Sequence, residues 1–362
     1  MRLAINGRFL SQPVTGVQRY AHEVLRALDA ILAQRPEIAA TVFAPPGGPD
    51  CTGRWKHISW RRVGTLKGNL WEQIELPVYS RSSVLFCPTN TAPVAALLGR
   101  QRVVVTVHDL SFRYFPEAYS RAFRAWYGFL VPLEMRQAAR VLTVSQTERE
   151  AILEHFPGAE KRLIAVPNGS WPADRSPQSK TPRVSDLVLY VGSFSARKNF
   201  PRLFAVACEL ARRRGLRFEF VGGHSSTLVR QDLEVPEDVR HLVVSRGQID
   251  DVDTLADCYA RATCFLFPSL YESSGLPPME AMANGCPVIA SDIPALRERC
   301  GPAAVYCDPT SPESISHAIE TVVDSQGLQQ QLSEMGRSRA ASMTWSTCAA
   351  ETLAAFEQAA DY

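Results

Sequence analysis

The decisive stretch of this chain, residues 268–282, reads Pro268-Ser-Leu-Tyr-Glu-Ser-Ser-Gly-Leu-Pro-Pro-Met-Glu-Ala-Met282 and lies between two short apolar runs. Proline suits the first helical position, because its φ angle is already helical and no donor is needed there. A helix is therefore predicted to begin at Pro277 or Pro278 and to end at Asn284 and Gly285, a typical C-terminal pair. The order of strand, loop, helix and strand is that of a βαβ unit, which predicts an α/β fold with a parallel sheet.

The loop before this helix has the features of an anion site. Gly275 lets a ligand approach the backbone closely, and the N–H groups of Gly275 and Leu276 would face that ligand at the positive end of the helix dipole. Glu272 precedes the site and Glu280 follows it, so the two carboxylates can accept hydrogen bonds from hydroxyls on both sides of a bound phosphate. This combination suits a nucleotide sugar. The same spacing also fits one glutamate that serves the helix N-terminus and a second that is only solvated.

Length and composition are those of an ordinary globular protein with about two domains. The chain has 362 residues, of which 46% are hydrophobic and 21% charged, and its net charge is +2. The charge is unevenly spread, because residues 1–170 hold 21 Lys and Arg against 13 Asp and Glu, whereas residues 171–362 hold 18 against 24. This asymmetry predicts that one half meets an anionic partner, with a chance fluctuation as the alternative.

The cysteines and the N-terminus bear on the cellular compartment. The nine cysteines are scattered, odd in number and without a C-x-x-C pair, so they are predicted to be buried thiols in a reducing compartment. The N-terminus has no signal-peptide hydrophobic region, and no apolar run approaches the length of a membrane span. We therefore expect a cytoplasmic protein without a disulfide framework or a cysteine zinc site.

In the first half, two strand ends are candidates for a ligand site. A glycine loop at residues 7–16 joins a strand at 2–6 to a helix at 17–33, which is where a doubly wound sheet places a ligand. No G-x-G-x-x-G is present, which argues against a nicotinamide enzyme. His108 ends a second buried strand and is also a candidate. Two alternatives remain open: the glycine loop can be a plain turn, and His108 can be a residue that only caps a loop. Residues 51–83 are predicted to be irregular and basic.

A helix predicted over residues 119–140 is rich in arginine and aromatic residues, including Arg121, Arg124 and Trp126. Such a helix can lie on an anionic membrane. It can equally pack its aromatic side chains on the core and leave its arginines solvated. Nucleic-acid binding would use similar charges, but no recognition motif accompanies them, so no nucleic-acid partner is predicted.

The second half begins again with a near-continuous apolar run at residues 187–192, of the kind found in buried parallel strands. The preceding stretch, 171–185, is rich in Pro, Ser and charge and is predicted to be a linker. Arg197 and Lys198 follow at a strand-to-helix turn, where two adjacent cations can meet the charge of a diphosphate. Asp251-Val-Asp253 lies at a helix start and is interpreted as capping, so no metal site is predicted.

The stretch Ser-Leu-Tyr-Glu…Gly-Leu-Pro-Pro-x-Glu-Ala, with Glu272 and Glu280, resembles the donor-site signature of the retaining GT-B glycosyltransferases of family 4. The stretches Asn6-Gly-Arg-Phe-Leu and Thr15-Gly-Val-Gln-Arg-Tyr20 resemble mannosyl- or rhamnosyltransferases of bacterial surface polysaccharide assembly. The chain departs from the family pattern at three serines: Ser273 and Ser274 stand where Gly-Phe is usual, and Ser193 stands where some branches have arginine.

The resemblance implies two Rossmann-like, doubly wound α/β domains facing each other across a cleft. Residues 1–170 would form the N-terminal acceptor-binding domain, and 171–185 the linker. Residues 186–342 would bind the nucleotide sugar donor, and 343–362 would form a helix that packs back on the N-terminal domain.

The resemblance also implies a reaction, in which a hexose passes from a nucleotide diphosphate sugar to a hydroxyl of a glycan or lipid-linked acceptor, with retention and without metal or cofactor. Lys198 and Arg197 would stabilise the leaving diphosphate, Glu280 would hold the ribose, Glu272 the transferred sugar, and His108 would orient the hexose. Further donor contacts are expected at Gly16, Asn168, Gly192, Ser193, Gln248, Ile249, Ser274, Gly275 and Leu276.

The donor is expected to be GDP-mannose, with a UDP-sugar as the second possibility, and the protein is expected at the inner face of the plasma membrane. Two other functions remain open on the same residues. A nucleotide-sugar 2-epimerase would share the fold and the donor but would need acid and base carboxylates near the sugar. A catalytically silent homologue would bind the donor without turnover.

Overall fold

The computed structural model describes residues 1–171, 182–223 and 234–361 of the chain. Most of the predicted linker and the final residue of the predicted terminal segment lie outside these ranges. The chain forms two compact units. Unit 1 comprises Met1–Leu110, Arg121–Gly169 and Trp345–Tyr362, and unit 2 comprises Ser111–Ser120 and Ser170–Thr344. The short segment 111–120 therefore groups with unit 2, although it falls within the predicted first domain.

Within the described ranges, unit 1 is built on a parallel sheet of seven strands. These are β1 (Arg2–Asn6), β2 (Ala39–Ala44), β3 (Ile58–Arg62), β4 (Val84–Cys87), β5 (Val103–Thr106), β6 (Arg140–Thr143) and β7 (Leu163–Ala165). They pair in the order β3-β2-β1-β4-β5-β6-β7, so the order reverses between β1 and β4. All residues of β4 and β5 are buried and apolar or small, as a parallel sheet covered on both faces requires.

Unit 2 repeats the design with six strands in the part of the chain described. These are β8 (Leu187–Val191), β9 (Arg217–Val221), β10 (Val243–Gly247), β11 (Cys264–Phe267), β12 (Val288–Ser291) and β13 (Ala304–Cys307). All pairs are parallel, in the order β10-β9-β8-β11-β12-β13. The order reverses between β8 and β11, and the carboxyl ends at such a switch point are where doubly wound sheets bind ligands.

Helices cover the sheets of both units. The α-helices are α1 (Gly16–Leu32), α2 (Gly68–Leu70), α3 (Leu76–Ser80), α4 (Val94–Leu98), α5 (Ser111–Tyr114), α6 (Arg121–Gln137), α7 (Gln146–His155), α8 (Phe200–Arg214), α9 (Val252–Arg261), α10 (Leu276–Ala283), α11 (Pro294–Cys300), α12 (Pro312–Val323), α13 (Gln326–Ala341) and α14 (Trp345–Ala360). A π-helical turn, Trp71–Glu75, joins α2 to α3, and we call these three consecutive segments the 68–80 helix. Short 3-10 turns include Arg8–Ser11 and Pro116–Ala118.

The predicted fold class is confirmed, because each unit is a doubly wound parallel α/β domain. The terminal helix α14 packs on α1 of unit 1, as predicted, and the Phe356 ring lies 4.9 Å from that of Phe86. The central stretch forms β11, α10 and β12 in the predicted order, with α10 beginning one residue before Pro277. All nine cysteines are buried and unpaired in disulfides.

The prediction that residues 51–83 are irregular is wrong, because this region contains β3 and the 68–80 helix. β3 is an edge strand that pairs only with β2, so most of its side chains are exposed and no apolar alternation marks it. The helix is anchored by Trp71 and Leu76, both fully buried, at a spacing that the π-helical turn alters. The short helices α4, α5 and α11 were also not predicted.

Candidate active site

The loop that leads into α10 ends at a glycine in the left-handed conformation. Gly275 caps the helix with a left-handed φ of 60°, and a Cβ atom added there would lie 2.9 Å from the Leu296 Cδ2. Both the backbone and the available space therefore require glycine at this position. Ser274 is buried and Leu276 is half-buried at the first turn. The three expected donor residues Ser274, Gly275 and Leu276 therefore lie together at the N-terminus of α10.

Beside this turn, two cations and one carboxylate meet in a buried cluster. Lys198 Nζ donates a hydrogen bond to Glu272 Oε1 at 2.5 Å, and Arg197 Nη1 lies 4.0 Å from Glu272 Oε2. The Arg197 guanidinium also donates to the backbone carbonyl of Tyr271 at 3.2 Å. Lys198 and Glu272 are more than nine-tenths buried. The structure thus joins three predicted site residues from two distant loops, with one more cation than carboxylate.

Aromatic packing and a neighbouring asparagine fix the position of this lysine. Its ammonium lies 4.7 Å from the ring centroid of Phe267, the last residue of β11. Asn199 adopts a left-handed φ of 59°, and its amide donates to the carbonyls of Pro268 at 3.0 Å and Pro309 at 2.6 Å. It therefore ties together the loops that follow β11 and β13. We assigned no role to Asn199 from the sequence, although asparagine at a helix N-cap is a recognisable signal.

Glu280 has a different partner from Glu272. Its Oε2 accepts a hydrogen bond from the hydroxyl of Tyr259 on α9 at 3.0 Å, and the side chain is buried. The two predicted glutamates therefore serve different parts of unit 2, one tied to the cation cluster and the other to the packing of α10 on α9. This separation agrees with distinct roles for them.

The turn after β8 brings Gly192 and Ser193 into a tightly packed backbone. The Tyr190 hydroxyl donates to the carbonyl of Ser193 at 2.8 Å, and a Cβ atom on Gly192 would lie 2.8 Å from that hydroxyl. Burial raises the pKa of Tyr190 well above its usual value, so the hydroxyl stays a neutral donor. A Cβ atom on Gly222 would lie 2.0 Å from the Gly192 carbonyl oxygen, so the turns after β8 and β9 touch through backbone atoms.

Gln248 and Ile249 follow β10, one of the two edge strands in the described sheet of unit 2. The Gln248 amide donates to the Asp250 carboxylate at 2.8 Å, and Ile249 packs partly buried against the core of the unit. The Gly247 carbonyl accepts from the Gly222 N–H at 2.8 Å. These residues therefore lie near the same strand ends as Gly192, and they form an exposed rather than an enclosed part of the candidate site.

In unit 1, His108 is held as a neutral imidazole after β5. Its Nε2 lies 2.9 Å from the Pro88 carbonyl oxygen, which only accepts, so the proton resides on Nε2 and Nδ1 carries the lone pair. Burial lowers the pKa of His108. The backbone N–H of His108 donates a hydrogen bond to Asn90 Oδ1 at 2.7 Å, and the Tyr20 ring contacts the imidazole edge to face. A neutral, oriented imidazole suits a hydrogen bond with a sugar hydroxyl better than contact with phosphate.

Two further expected donor residues of unit 1 differ in what the fold requires of them. Gly16 opens α1 behind the Thr15 cap, and a Cβ atom there would meet nothing within 4 Å. The unit itself therefore gives no steric reason for this glycine. Asn168 is buried after β7, and a Cβ atom on the next residue, Gly169, would lie 2.4 Å from the Trp345 nitrogen. The absence of a side chain at Gly169 therefore leaves the space that the first residue of α14 occupies.

The predicted membrane-contact residues lie at the start of α6, where Arg121 is exposed and Arg124 and Trp126 are half-buried. Of the helices described, none is long and apolar enough to cross a membrane. In the same ranges, no group of three His, Cys, Asp or Glu side chains is placed to hold a metal ion.

Comparison with known proteins finds matches to both units of the chain. Residues 14–170 match the family described as Glycosyltransferase Family 4, and residues 174–339 match Glycosyl transferases group 1. The chain is 27% identical over 273 residues to O-antigen chain mannosyltransferase B of Escherichia coli, covering 71% of this chain and 70% of the relative. It is 24% identical over 336 residues to O-antigen chain mannosyltransferase RfbU of Salmonella typhimurium, covering 88% and 90%.

Among solved structures, the fold is similar to that of Anabaena Alr3699/HepE in complex with UDP and glucose. The TM-score is 0.72 at 17% identity, and the match covers 98% of this chain and 99% of that one. The fold is that of the GT-B class, and the family matches and relatives make the chain a glycosyltransferase. The two family matches together extend over nearly the whole chain, and with these relatives they confirm the resemblance to family 4 glycosyltransferases and to bacterial mannosyltransferases.

Proposed function

We propose that this glycosyltransferase moves a mannose-like hexose from a nucleotide diphosphate sugar to a hydroxyl of a glycan or lipid-linked acceptor, with retention at the anomeric carbon and without a metal or cofactor. The observation that carries the proposal is the buried cluster of Arg197, Lys198 and Glu272 beside the N-terminus of α10. Its two cations follow β8 and its carboxylate follows β11, the two strands at the switch point of a doubly wound sheet.

The cluster has the groups needed to stabilise a leaving diphosphate. Lys198 and Arg197 supply positive charge, and the N–H groups at Gly275 and Leu276 supply dipoles that are already oriented. Glu272 holds the Lys198 ammonium in place through a hydrogen bond. On donor binding, we propose that Lys198 contacts the phosphates and that Glu272 accepts a hydrogen bond from a hydroxyl of the hexose. His108 would meet another hexose hydroxyl through its unprotonated Nδ1.

Glu280 is proposed to bind the ribose hydroxyls of the donor. Its Oε2 accepts a hydrogen bond from the Tyr259 hydroxyl at 3.0 Å, which orients the carboxylate. Replacing Glu280 by Gln keeps an acceptor for Tyr259 but removes the charge. Because hydrogen bonds to charged groups contribute about 1.5–3 kcal/mol, we expect Glu280→Gln to weaken nucleotide diphosphate binding by about tenfold or more. Tyr259→Phe is the matched control, and an unchanged affinity in Glu280→Gln would remove the ribose role.

The choice of donor rests on the relatives. Two of them are O-antigen chain mannosyltransferases, which favours GDP-mannose, whereas the Anabaena structure contains UDP, which keeps a UDP-sugar as the second candidate. The O-antigen relatives also favour an acceptor in surface polysaccharide or lipopolysaccharide synthesis.

A thermal-shift panel of GDP, UDP, dTDP and ADP, with EDTA present, is the first test. A nucleotide at about 100 times its Kd should stabilise the folded state by roughly 2.7 kcal/mol. We expect a clear shift with GDP, and product formation when GDP-mannose and an acceptor glycan are then supplied. No shift with any nucleotide would refute the donor site. A sugar epimerised without acceptor would instead show a 2-epimerase, and binding without turnover would show a silent homologue.

A further inference from the structure

Arg299 is one of the largest side chains that the described residues bury completely, with only 1% of it exposed. Arginine is almost never buried to this extent, because removing a guanidinium from water is costly. Arg299 lies in the last turn of α11, where the carbonyl groups at the end of its own helix offset part of that cost. The roles proposed so far for residues of the donor site do not include this arginine.

The side chain of Arg299 passes beside the turn that opens α10. A Cβ atom added to Gly275 would lie 3.7 Å from Arg299 Cγ and 3.9 Å from Arg299 Cβ. The guanidinium begins one carbon beyond Cγ, so its charge lies within one side-chain length of this turn. Ser274 precedes the glycine at the position where the family pattern usually has phenylalanine. The chain therefore lacks an apolar ring next to Gly275 and buries a cation close by.

Helix α11 is held firmly, and Arg299 with it. The Cδ2 atom of Leu296, which is fully buried, would lie 2.9 Å from the same added Cβ atom on Gly275. From α13, the Arg339 guanidinium donates to the backbone carbonyls of Glu298 at 2.6 Å and of Arg299 at 2.9 Å. These contacts tie the end of α11 to the body of unit 2. The charge of Arg299 is therefore in place before a ligand binds, which is the condition for electrostatic preorganisation.

Arg299 brings a third positive charge to the region of the donor turn. Arg197 and Lys198 meet the carboxylate of Glu272 there, and the N-terminus of α10 adds the positive end of a helix dipole. A cation close to a helix N-terminus is unfavourable unless an anion binds at that end. The added charge therefore favours a ligand that carries more than one negative charge. It acts through space, because the side chain is enclosed by protein.

We propose that Arg299 determines the selectivity of the donor site for a nucleoside diphosphate over a nucleoside monophosphate. Its buried guanidinium raises the positive potential at the Gly275 turn, where solvent screens a charge only weakly. Each negative charge of the ligand gains from that potential, so the affinity for GDP depends on Arg299 more than the affinity for GMP does. The inference rests on the proposed donor site and extends it to a residue that does not touch the donor.

Isothermal titration calorimetry of GDP and GMP against the full chain tests the proposal, with UDP and UMP in their place if UDP gives the larger thermal shift. Arg299→Met removes the charge and keeps a long, unbranched side chain. We expect it to weaken GDP binding by about tenfold or more and GMP binding by clearly less, because one charge acting on another across several Å of protein has an effect of this order. Arg299→Lys keeps the charge and should retain most of the wild-type ratio of GDP to GMP affinity. A purely structural role would change both affinities alike.

Arg297→Met is the matched control. It removes one positive charge from the same helix, but Arg297 is exposed and paired with Asp292 at 2.6 Å, so this variant should bind both nucleotides as the wild type does. A second variant covers the case in which Arg299→Met does not fold. The double variant Ser274→Phe, Arg299→Leu replaces the buried charge with apolar volume, which is often neutral or stabilising, and it should show the same fall in the ratio of affinities. The Tm of each variant reports whether it is folded.

An unchanged ratio of GDP to GMP affinity in folded Arg299→Met, or in the folded double variant, would overturn the proposal. So would an equal loss of that ratio in Arg299→Lys and Arg299→Met, since the charge would then not be the property that matters. A wild-type chain that binds neither GDP nor UDP would refute the proposed donor site and this inference with it. Failure of the inference alone is therefore distinguishable from failure of the proposed function.

Discussion

At the residue scale, the pair Lys198–Glu272 shows what a sequence reveals and what it hides. Both residues were identified from local patterns, a cation at a strand-to-helix turn and a carboxylate before a helix start. Their pairing was not predictable, because it joins loops 74 residues apart through the packing of β8 against β11. Only a three-dimensional structure shows that the lysine expected to meet a diphosphate is already held by the carboxylate expected to meet the sugar.

Lys198 gives the sharpest test of the site. Lys198→Met should lower kcat by roughly a hundredfold to a thousandfold, the usual cost of removing one oriented donor at a developing negative charge. It also leaves the buried Glu272 without its ammonium partner, which destabilises the fold.

The double variant Lys198→Gln, Glu272→Gln keeps a neutral hydrogen bond, so it should fold with a Tm near that of the wild type and remain inactive. Steady-state kinetics with thermal unfolding separates these effects, with the exposed Lys161→Met as control. A wild-type kcat in Lys198→Met would remove this residue from the site.

His22 makes the stability of unit 1 depend on pH. Burial, and to a smaller extent the charge of Arg54, lower the pKa of His22 from 6.5 to about 4, and the Arg54 guanidinium lies 3.0 Å from its Nδ1. The unfolded chain therefore binds a proton on His22 that the folded chain does not, so stability falls as pH falls from 6.5 to about 4. Above pH 6.5 the imidazole is neutral in both states and contributes no pH dependence.

The measurement is the urea midpoint across this pH window in wild type and in His22→Gln, which retains an acceptor for Arg54. We expect the variant to lose less stability than the wild type on acidification. The exposed His57→Gln is the control and should follow the wild type. A pH dependence that is identical in His22→Gln and wild type would show that other groups dominate the acid response.

At the element scale, prediction succeeded where packing and local pattern agree. The β11-α10-β12 unit has continuous apolar strands, prolines in the first turn of its helix and a glycine at its end, and each signal points to the same structure. The 68–80 helix was not predicted, because its outer face is as apolar as its inner face and its middle is a π-helical turn. Neither the usual period nor the usual polarity of a surface helix marks that segment.

Two glycines that open helices should respond differently to the same substitution. Gly275→Ala places a side chain in a left-handed conformation and against Leu296, so we expect a loss of about 1–2 kcal/mol of stability together with lower activity. Gly16→Ala meets open space in an ordinary helical conformation, and it should leave stability unchanged or raise it by about 0.4–1 kcal/mol.

Activity measurements on Gly16→Ala then test its predicted place near the donor. We expect a lower kcat/KM with no loss of Tm, because the added methyl group would occupy space that the ligand needs. Chemical denaturation measures the stability of both variants, and initial rates measure their activity. Full activity in Gly16→Ala would leave this glycine without a functional role, and an unchanged stability in Gly275→Ala would contradict the strain argued for α10.

At the scale of the whole molecule, the last helix of the chain completes the first unit. Phe356 of α14 is fully buried against Phe86 of β4, and Trp345 occupies the space left by Gly169. Unit 1 therefore cannot complete its core until the C-terminal helix is available, whereas unit 2 draws its core from 170–344 together with the short segment 111–120. The packing of α14 on unit 1 was predicted only from the family resemblance, because no local pattern in the sequence of α14 indicates which element it packs against.

Phe356→Ala should therefore destabilise unit 1 selectively. Removing a fully buried phenylalanine costs about 3–5 kcal/mol, and that loss should raise the amide hydrogen exchange of α1, β4 and α14 while the strands of unit 2 keep their protection. Glu351→Ala on the exposed side of the same helix is the control and should leave exchange unchanged in both units. Hydrogen exchange followed by mass spectrometry resolves the two units in one experiment. Equal loss of protection in β8 and β11 would show that the units unfold together, and protection unchanged everywhere would contradict the packing of α14 in the core of unit 1.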